Sequence, residues 1–201
     1  MSRRWRAFFA VLLGLLGGGQ AAPIETTPVR CHVGERPGYF VPGSAGGRPA
    51  LLGCARLGVS GRRVEFSGDQ VVIDGVRHAC INPAYSGRGR RGLFIPAICP
   101  AELSRLAVHD AAQPRQGVRG YALVIWGTAG ASTEVTARFT GGTARATVIK
   151  VGPQLARRLA ESPFSLFVVE LPLSAACAAV TVAANGATVR IPARTRVCAG
   201  A

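Results

Sequence analysis

Apolar and polar positions along the chain alternate mostly with a period of two, the mark of half-buried strands. Leu51-Leu52 through Val59 reads as a strand, and Ser60-Gly61 as a turn. Val64 and Phe66 alternate with polar neighbours. Val71 to Ile73 and Val76 to Ile81 flank Asp74-Gly75, a two-residue loop that tolerates positive φ at both positions and so predicts a hairpin. Together these segments predict a meander of about four short strands. Residues 82–98, with Asn82-Pro83 and a Gly/Arg cluster, read as a loop.

Two segments follow a helical pattern instead. Pro100 suits a first helical position, and Glu102 suits the positive end of the dipole, so a short helix is expected over Ala101 to Val108 with Leu103 and Leu106 on one face. The other is Pro153 to Ala160, with Leu155 and Leu159 four apart. Residues 111–117, with Pro114 and Gly117, read as a linker.

Beyond it strands return at regular spacing. Tyr121 to Trp126 is almost wholly apolar, Val135, Ala137 and Phe139 alternate with Thr136 and Arg138, and Gly141-Gly142 turns the chain into Ala144 to Val151. Phe164 to Leu171 is long and apolar enough for a central strand. Ala178 to Ala183 and Ala187 to Ile191 flank Asn185-Gly186, a second hairpin signal.

This succession, "GYALVIWG", "RFTGGTARATV", "PFSLFVVELP" and "AAVTVAANGATVRI", resembles the immunoglobulin-like β-sandwich modules of exported bacterial proteins. The resemblance covers about 80 residues, Val118 to Arg196, and rests on strand pattern. It implies a scaffold that binds or spaces, and it carries no catalytic motif. The antibody order of Cys, Trp, Cys is absent, because Trp126 precedes both cysteines of this half. The expected organisation is therefore a mainly β chain. It comprises a cysteine-bearing, β-rich region over residues 22–110, the linker at 111–117, and an immunoglobulin-like antiparallel sandwich over 118–201.

The first residues change the setting. Arg3, Arg4 and Arg6 precede an apolar run from Ala7 to Leu16, with Gly19 and Ala21 placed for cleavage before Ala22. Residues 1–21 thus read as a signal peptide, too short for a spanning helix of roughly 20 apolar residues. No later segment reaches that length without a charge or a proline. Export makes the six cysteines, Cys31, Cys54, Cys80, Cys99, Cys177 and Cys198, a disulfide framework. Sequence order suggests Cys31–Cys54, Cys80–Cys99 and Cys177–Cys198. The first four are equally compatible with 31–99 and 54–80.

The chain carries 24 Lys and Arg against 10 Asp and Glu. Such an excess attracts anionic surfaces or polymers, here an anionic cell-wall polymer or an envelope protein. Export argues against nucleic acid. Gly87 to Gly92 reads "GRGRRG", which has the spacing of a dinucleotide fingerprint but neither a strand directly before it nor a helix directly after it. Its arginines, Arg88, Arg90 and Arg91, are the candidate anion-binding residues.

Catalytic chemistry has less support. Cys99 before Pro100 is a formal nucleophile if its thiol is free. His78 and Cys80 share a strand face, and with Cys99 they would make an incomplete metal set. His109 and Asp110 are adjacent and form no triad by themselves. No nucleophile elbow, zinc-protease motif or P-loop occurs, and no spacing singles out a carboxylate pair. Neither a cofactor nor a metal is expected, and nothing specifies an oligomeric state. The expected role is non-catalytic binding or scaffolding at the cell envelope. A hydrolase-like enzyme with a site near His78, Cys99 or His109 is one alternative. An inhibitor presenting a rigid loop over residues 83–96 is another. A histidine beside an acid and a nucleophile in a pocket would favour the enzyme.

Overall fold

A computed structural model describes residues 27–35, 49–58, 60–86, 98–99, 102–114, 121–159 and 161–194. Its strands are β1 (Thr27–Pro28), β2 (Ala50–Arg56), β3 (Arg63–Ile73), β4 (Val76–Ser86), β5 (Leu106–Pro114), β6 (Tyr121–Ala129), β7 (Thr136–Phe139), β8 (Gly142–Arg145), β9 (Thr147–Val151), β10 (Phe164–Pro172), β11 (Val180–Ala184) and β12 (Ala187–Ile191). Among the described residues one α-helix, α1 (Pro153–Arg158), precedes β10, and a 3₁₀ turn spans Leu173–Cys177. Among the described residues no helix is long and apolar enough to cross a membrane.

The strands form three four-stranded sheets, in the orders β1-β2-β3-β4 (sheet A), β5-β6-β10-β9 (sheet B) and β12-β11-β7-β8 (sheet C). Every strand pair is antiparallel. Sheet B is the middle layer, and the alternation along its two inner strands shows why. Val124, Trp126, Leu166 and Val168 join Leu52, Val64, Phe66, Ile81 and Tyr85 in one core, shared with sheet A. Leu123, Ile125, Phe167, Val169 and Leu171 join Ala137, Val180, Val182 and Ile191 in a second core, shared with sheet C. Both faces of β6 and β10 are dry, so apolar residues fill consecutive positions, as in Leu123 to Trp126 and Leu166 to Val169, rather than every second one.

The two hairpin signals are met. Asp74 and Gly75 take φ of 51° and 80°, and Asn185 and Gly186 take 46° and 78°. The helix at Pro153 is also present, with Ala156 and Leu159 packed in the first core.

Four expectations need correcting. Residues 106–108 are strand, not helix. Leu103 is fully buried, but β5 pairs with β6 from Leu106↔Ala129 to Pro114↔Tyr121. Nine cross-strand partners outweigh two turns of isolated helix, whose nucleation is costly. The same pairing takes residues 111–114, read as linker, into the middle sheet. β3 is one continuous strand of 11 residues, where the pattern suggested two shorter ones. Finally, β4 runs on through Asn82 and Pro83 to Ser86, where a loop was expected. Proline is tolerated there because β4 is an edge strand. Ile81 exchanges backbone bonds with Ile98 on that open side, so by alternation the position of the missing Pro83 N–H also points away from β3.

Disulfides Cys31–Cys54 and Cys80–Cys99 staple β2 and β4, with Cα separations of 6.1 and 4.1 Å. Cys177 is also disulfide-bonded, to a partner outside the described residues, where Cys198 lies.

Candidate anion-binding site

The hairpin at Asp74-Gly75 marks one end of sheet A, and arginines mark the other. β2 ends on Arg56, β3 begins on Arg63, and β4 ends on Ser86. The register sets Arg56 opposite Arg63 and Arg63 opposite Ser86. Like charges directly opposite on neighbouring strands repel. The turn between β2 and β3 adds Arg62. Leu57 buries itself beneath this turn, and its N–H donates to the Arg62 carbonyl oxygen at 2.7 Å. Gly61 supplies the positive φ of 66°. The Ser60 N–H donates to Glu170 Oε2 at 2.8 Å, which anchors the turn to the middle sheet.

The three guanidinium groups are employed differently. Arg63 pairs with Glu65 at 3.2 Å, and its Nη2 lies 3.5 Å from Cys54 Sγ. Arg56 Nη1 donates to the Gly61 carbonyl oxygen at 3.2 Å. Arg62 lies over the Tyr85 ring, 5.0 Å from its centroid. That distance is within cation–π range. Arg62 Nη1 and the Tyr85 hydroxyl are both shut off from solvent without an acceptor. Tyr85 faces the first core at 7% exposure. Burial drives its phenol well above the ordinary tyrosine range, and the Glu170 charge pushes the same way, while Arg62 opposes them. The phenol is therefore a neutral hydrogen-bond donor at physiological pH.

Arg88, Arg90 and Arg91 lie outside the described residues. The loop expected to be rigid over 83–96 is strand as far as Ser86, and residues 87–96 are likewise outside them. Sequence reasoning did not single out Arg56, Arg62, Arg63 or Tyr85. The signal lay in Arg62-Arg63 directly after the Ser60-Gly61 turn, but only register brings Arg56 across from Arg63.

The residues weighed for catalysis are spread apart. Cys99 is bridged to Cys80, so neither thiolate is free as a nucleophile or a ligand. Among the described residues no three His, Cys, Asp or Glu gather as a metal set. His78 lies opposite Val71 near the hairpin tip. His109 stacks on Trp126, with ring centroids 5.3 Å apart, and its neighbour Asp110 is engaged by Arg194. His32 sits 3.7 Å from Glu35 at the surface. Asp69 is buried at 4% exposure, and its Oδ1 accepts the Gln70 N–H at 2.8 Å. Burial raises its pKa above the usual carboxylate value, against the pull of that N–H. A cleft of about 500 Å³ opens between β2, β3 and α1, lined by Leu52, Gln70, Leu155 and Arg158 among others. No protein family, curated protein or solved structure matches this chain.

Proposed function

We propose that the chain is an exported, non-catalytic binding protein of the cell envelope that engages an anionic partner through the arginine-bearing end of sheet A. The observation that carries this reading is the Arg56–Arg63 register pair with Arg62 beside it. Glu65 answers Arg63 alone, so these adjoining strand ends keep a positive excess that an anionic partner relieves. Arg88, Arg90 and Arg91, which follow Ser86 by two to five residues in sequence, are the further cations assigned to the same anionic partner. Without residues 1–21, which hold Arg3, Arg4 and Arg6 and no acid, the chain keeps 21 Lys and Arg against 10 Asp and Glu, and that excess of 11 positive charges supports capture of such a partner at long range.

The disulfides support an oxidising compartment, and the basic, apolar first 21 residues support export. The facing of sheets B and C over a common core supports the likeness to immunoglobulin-like modules. It departs from the expected boundary in that β5 begins before residue 118.

The test is co-sedimentation of the protein, without residues 1–21, with an insoluble anionic wall polymer over a range of salt concentrations. Binding should weaken steeply with salt. It should be lost in a variant with Arg88, Arg90 and Arg91 changed to Ala. Undiminished binding by that variant would remove the arginine loop from the reading.

A further inference from the structure

Two strong donors stand unused close together at the arginine-bearing end of sheet A, one on the β2–β3 turn and one on β4. Among the described residues, the Arg62 guanidinium donates to no acceptor and faces no carboxylate at ion-pair distance, although its Nη1 is shut off from solvent. The hydroxyl of the ring beneath it is in the same state. Folded proteins rarely leave a buried donor without an acceptor, and two side by side call for a common one. A water molecule could accept both hydrogens but would leave the guanidinium charge unanswered. An anionic oxygen answers the charge and both hydrogens.

We propose that Arg62 and Tyr85 form a subsite for one oxygen of a phosphate group. This rests on the reading that the partner is anionic, and it specifies the chemistry that partner presents. The guanidinium lies over the ring, whereas the hydroxyl leaves in the plane of the ring, so the two donors stand at different levels. A tetrahedral group meets that arrangement better than a planar carboxylate, which prefers two parallel donors from one plane. Arg62 as a residue is only half-buried, so a side-chain shift at the turn is what admits a ligand to its enclosed Nη1. Arg56 and Arg63 on the adjoining strand ends add to the positive field. The Ser60–Glu170 bond holds the turn that carries Arg62, so the guanidinium is positioned before a ligand arrives. The acceptor in that bond is the buried Glu170, whose charge also acts on the Tyr85 phenol.

Thermal melts of the purified protein in sodium phosphate, sodium acetate and sodium chloride at equal ionic strength test the subsite. Phosphate should raise Tm by a few degrees over chloride, because a ligand bound only to the folded state stabilises it. Arg62→Gln and Tyr85→Phe should each lose more than half of that increment. Arg138→Gln removes the same charge from an exposed position on β7, in the opposite layer, and should keep it. The subsite is overturned if wild type shows no phosphate increment, if acetate gives an equal one, or if Arg62→Gln and Tyr85→Phe retain it in full. A phosphate increment that depends on Arg62 and Tyr85, in a protein that ignores the wall polymer, would sink the envelope reading and leave the subsite standing. Polymer binding without that increment would sink the subsite alone.

Discussion

Arg194 Nε lies 2.6 Å from Asp110 Oδ2, and its Nη2 donates to the Asp110 carbonyl oxygen at 3.2 Å. Asp110 is on β5, an edge of the middle sheet, and Arg194 follows β12, an edge of sheet C. The Arg194 N–H also donates to the Ala176 carbonyl oxygen at 2.8 Å. One residue thus ties two layers together at their rims.

Arg194→Ala should lower stability by about 1 kcal/mol, at the upper end for a partly exposed pair because a backbone acceptor is lost as well. Urea denaturation of wild type, Arg194→Ala, Asp110→Asn and the double variant isolates the coupling. A coupling of zero would show that the contact adds nothing to stability.

His109 predicts a pH dependence. Burial beside Trp126 lowers its pKa, and the Asp110 charge pulls it partly back. In the unfolded chain the imidazole gains its proton near pH 6.5. In the folded chain it does so at lower pH. Between the two the unfolded state holds more protons, so this contribution is complete above about pH 6.5 and is lost as pH falls through the folded pKa. Melts from pH 8 to 5 should show a decline that His109→Gln reduces. Identical slopes would exclude His109 as its source.

Asp69 acts in the opposite sense. Its folded pKa is raised, so its contribution is present below the unfolded value of about 3.9 and lost as pH rises through the folded pKa. At neutral pH a buried carboxylate oxygen without a partner is left behind. Asp69→Asn keeps an oxygen for the Gln70 N–H and removes the charge. It should stabilise the protein by about 1 kcal/mol at pH 7, and the gain should vanish near pH 3. A variant weaker than wild type at both pH values would contradict this account.

Gly53 marks where sheet A crosses β9. A Cβ there would overlap the Ile149 side chain, next to the register shift between Leu51 and Gly53. Gly53→Ala should cost roughly 1–3 kcal/mol, as overpacked cores do. Pairing it with Ile149→Ala should recover part of that loss in guanidinium melts. Additive losses in the double variant would mean that the two residues do not compete for the same space.

The elements most legible from sequence were those specified locally. Asp74-Gly75 and Asn185-Gly186 carry their turns in their own φ preferences, and Pro153 opens α1 by its ring geometry. The apolar run of β10 was readable as a central strand, and that of β6 as a strand. That they face two different layers is a tertiary fact: Leu123 and Val124 look alike in sequence and enter separate cores. Leu103 and Leu106 fit a helix face, yet Leu106 also begins the alternation that β6 selects. Pro83 was read as punctuation because whether a strand lies at an edge is not written in its residues. The arginine end was least visible. Arg56 and Arg63 are seven residues apart, and their opposition exists only through the β2–β3 register, while Tyr85 gains its role from the guanidinium laid over it.

The position of β10 between β6 and β9 has a consequence for biogenesis. Until Phe164 to Pro172 has emerged, nothing joins β6 to β9, and the central layer is a β5–β6 ribbon and a lone β9 with apolar margins. Under the proposed export, a chain threaded amino end first carries that unfinished surface through most of its passage. Truncations ending before residue 164 should therefore be captured by chaperones or lost to aggregation, even though sheet A and its cysteines would already be complete.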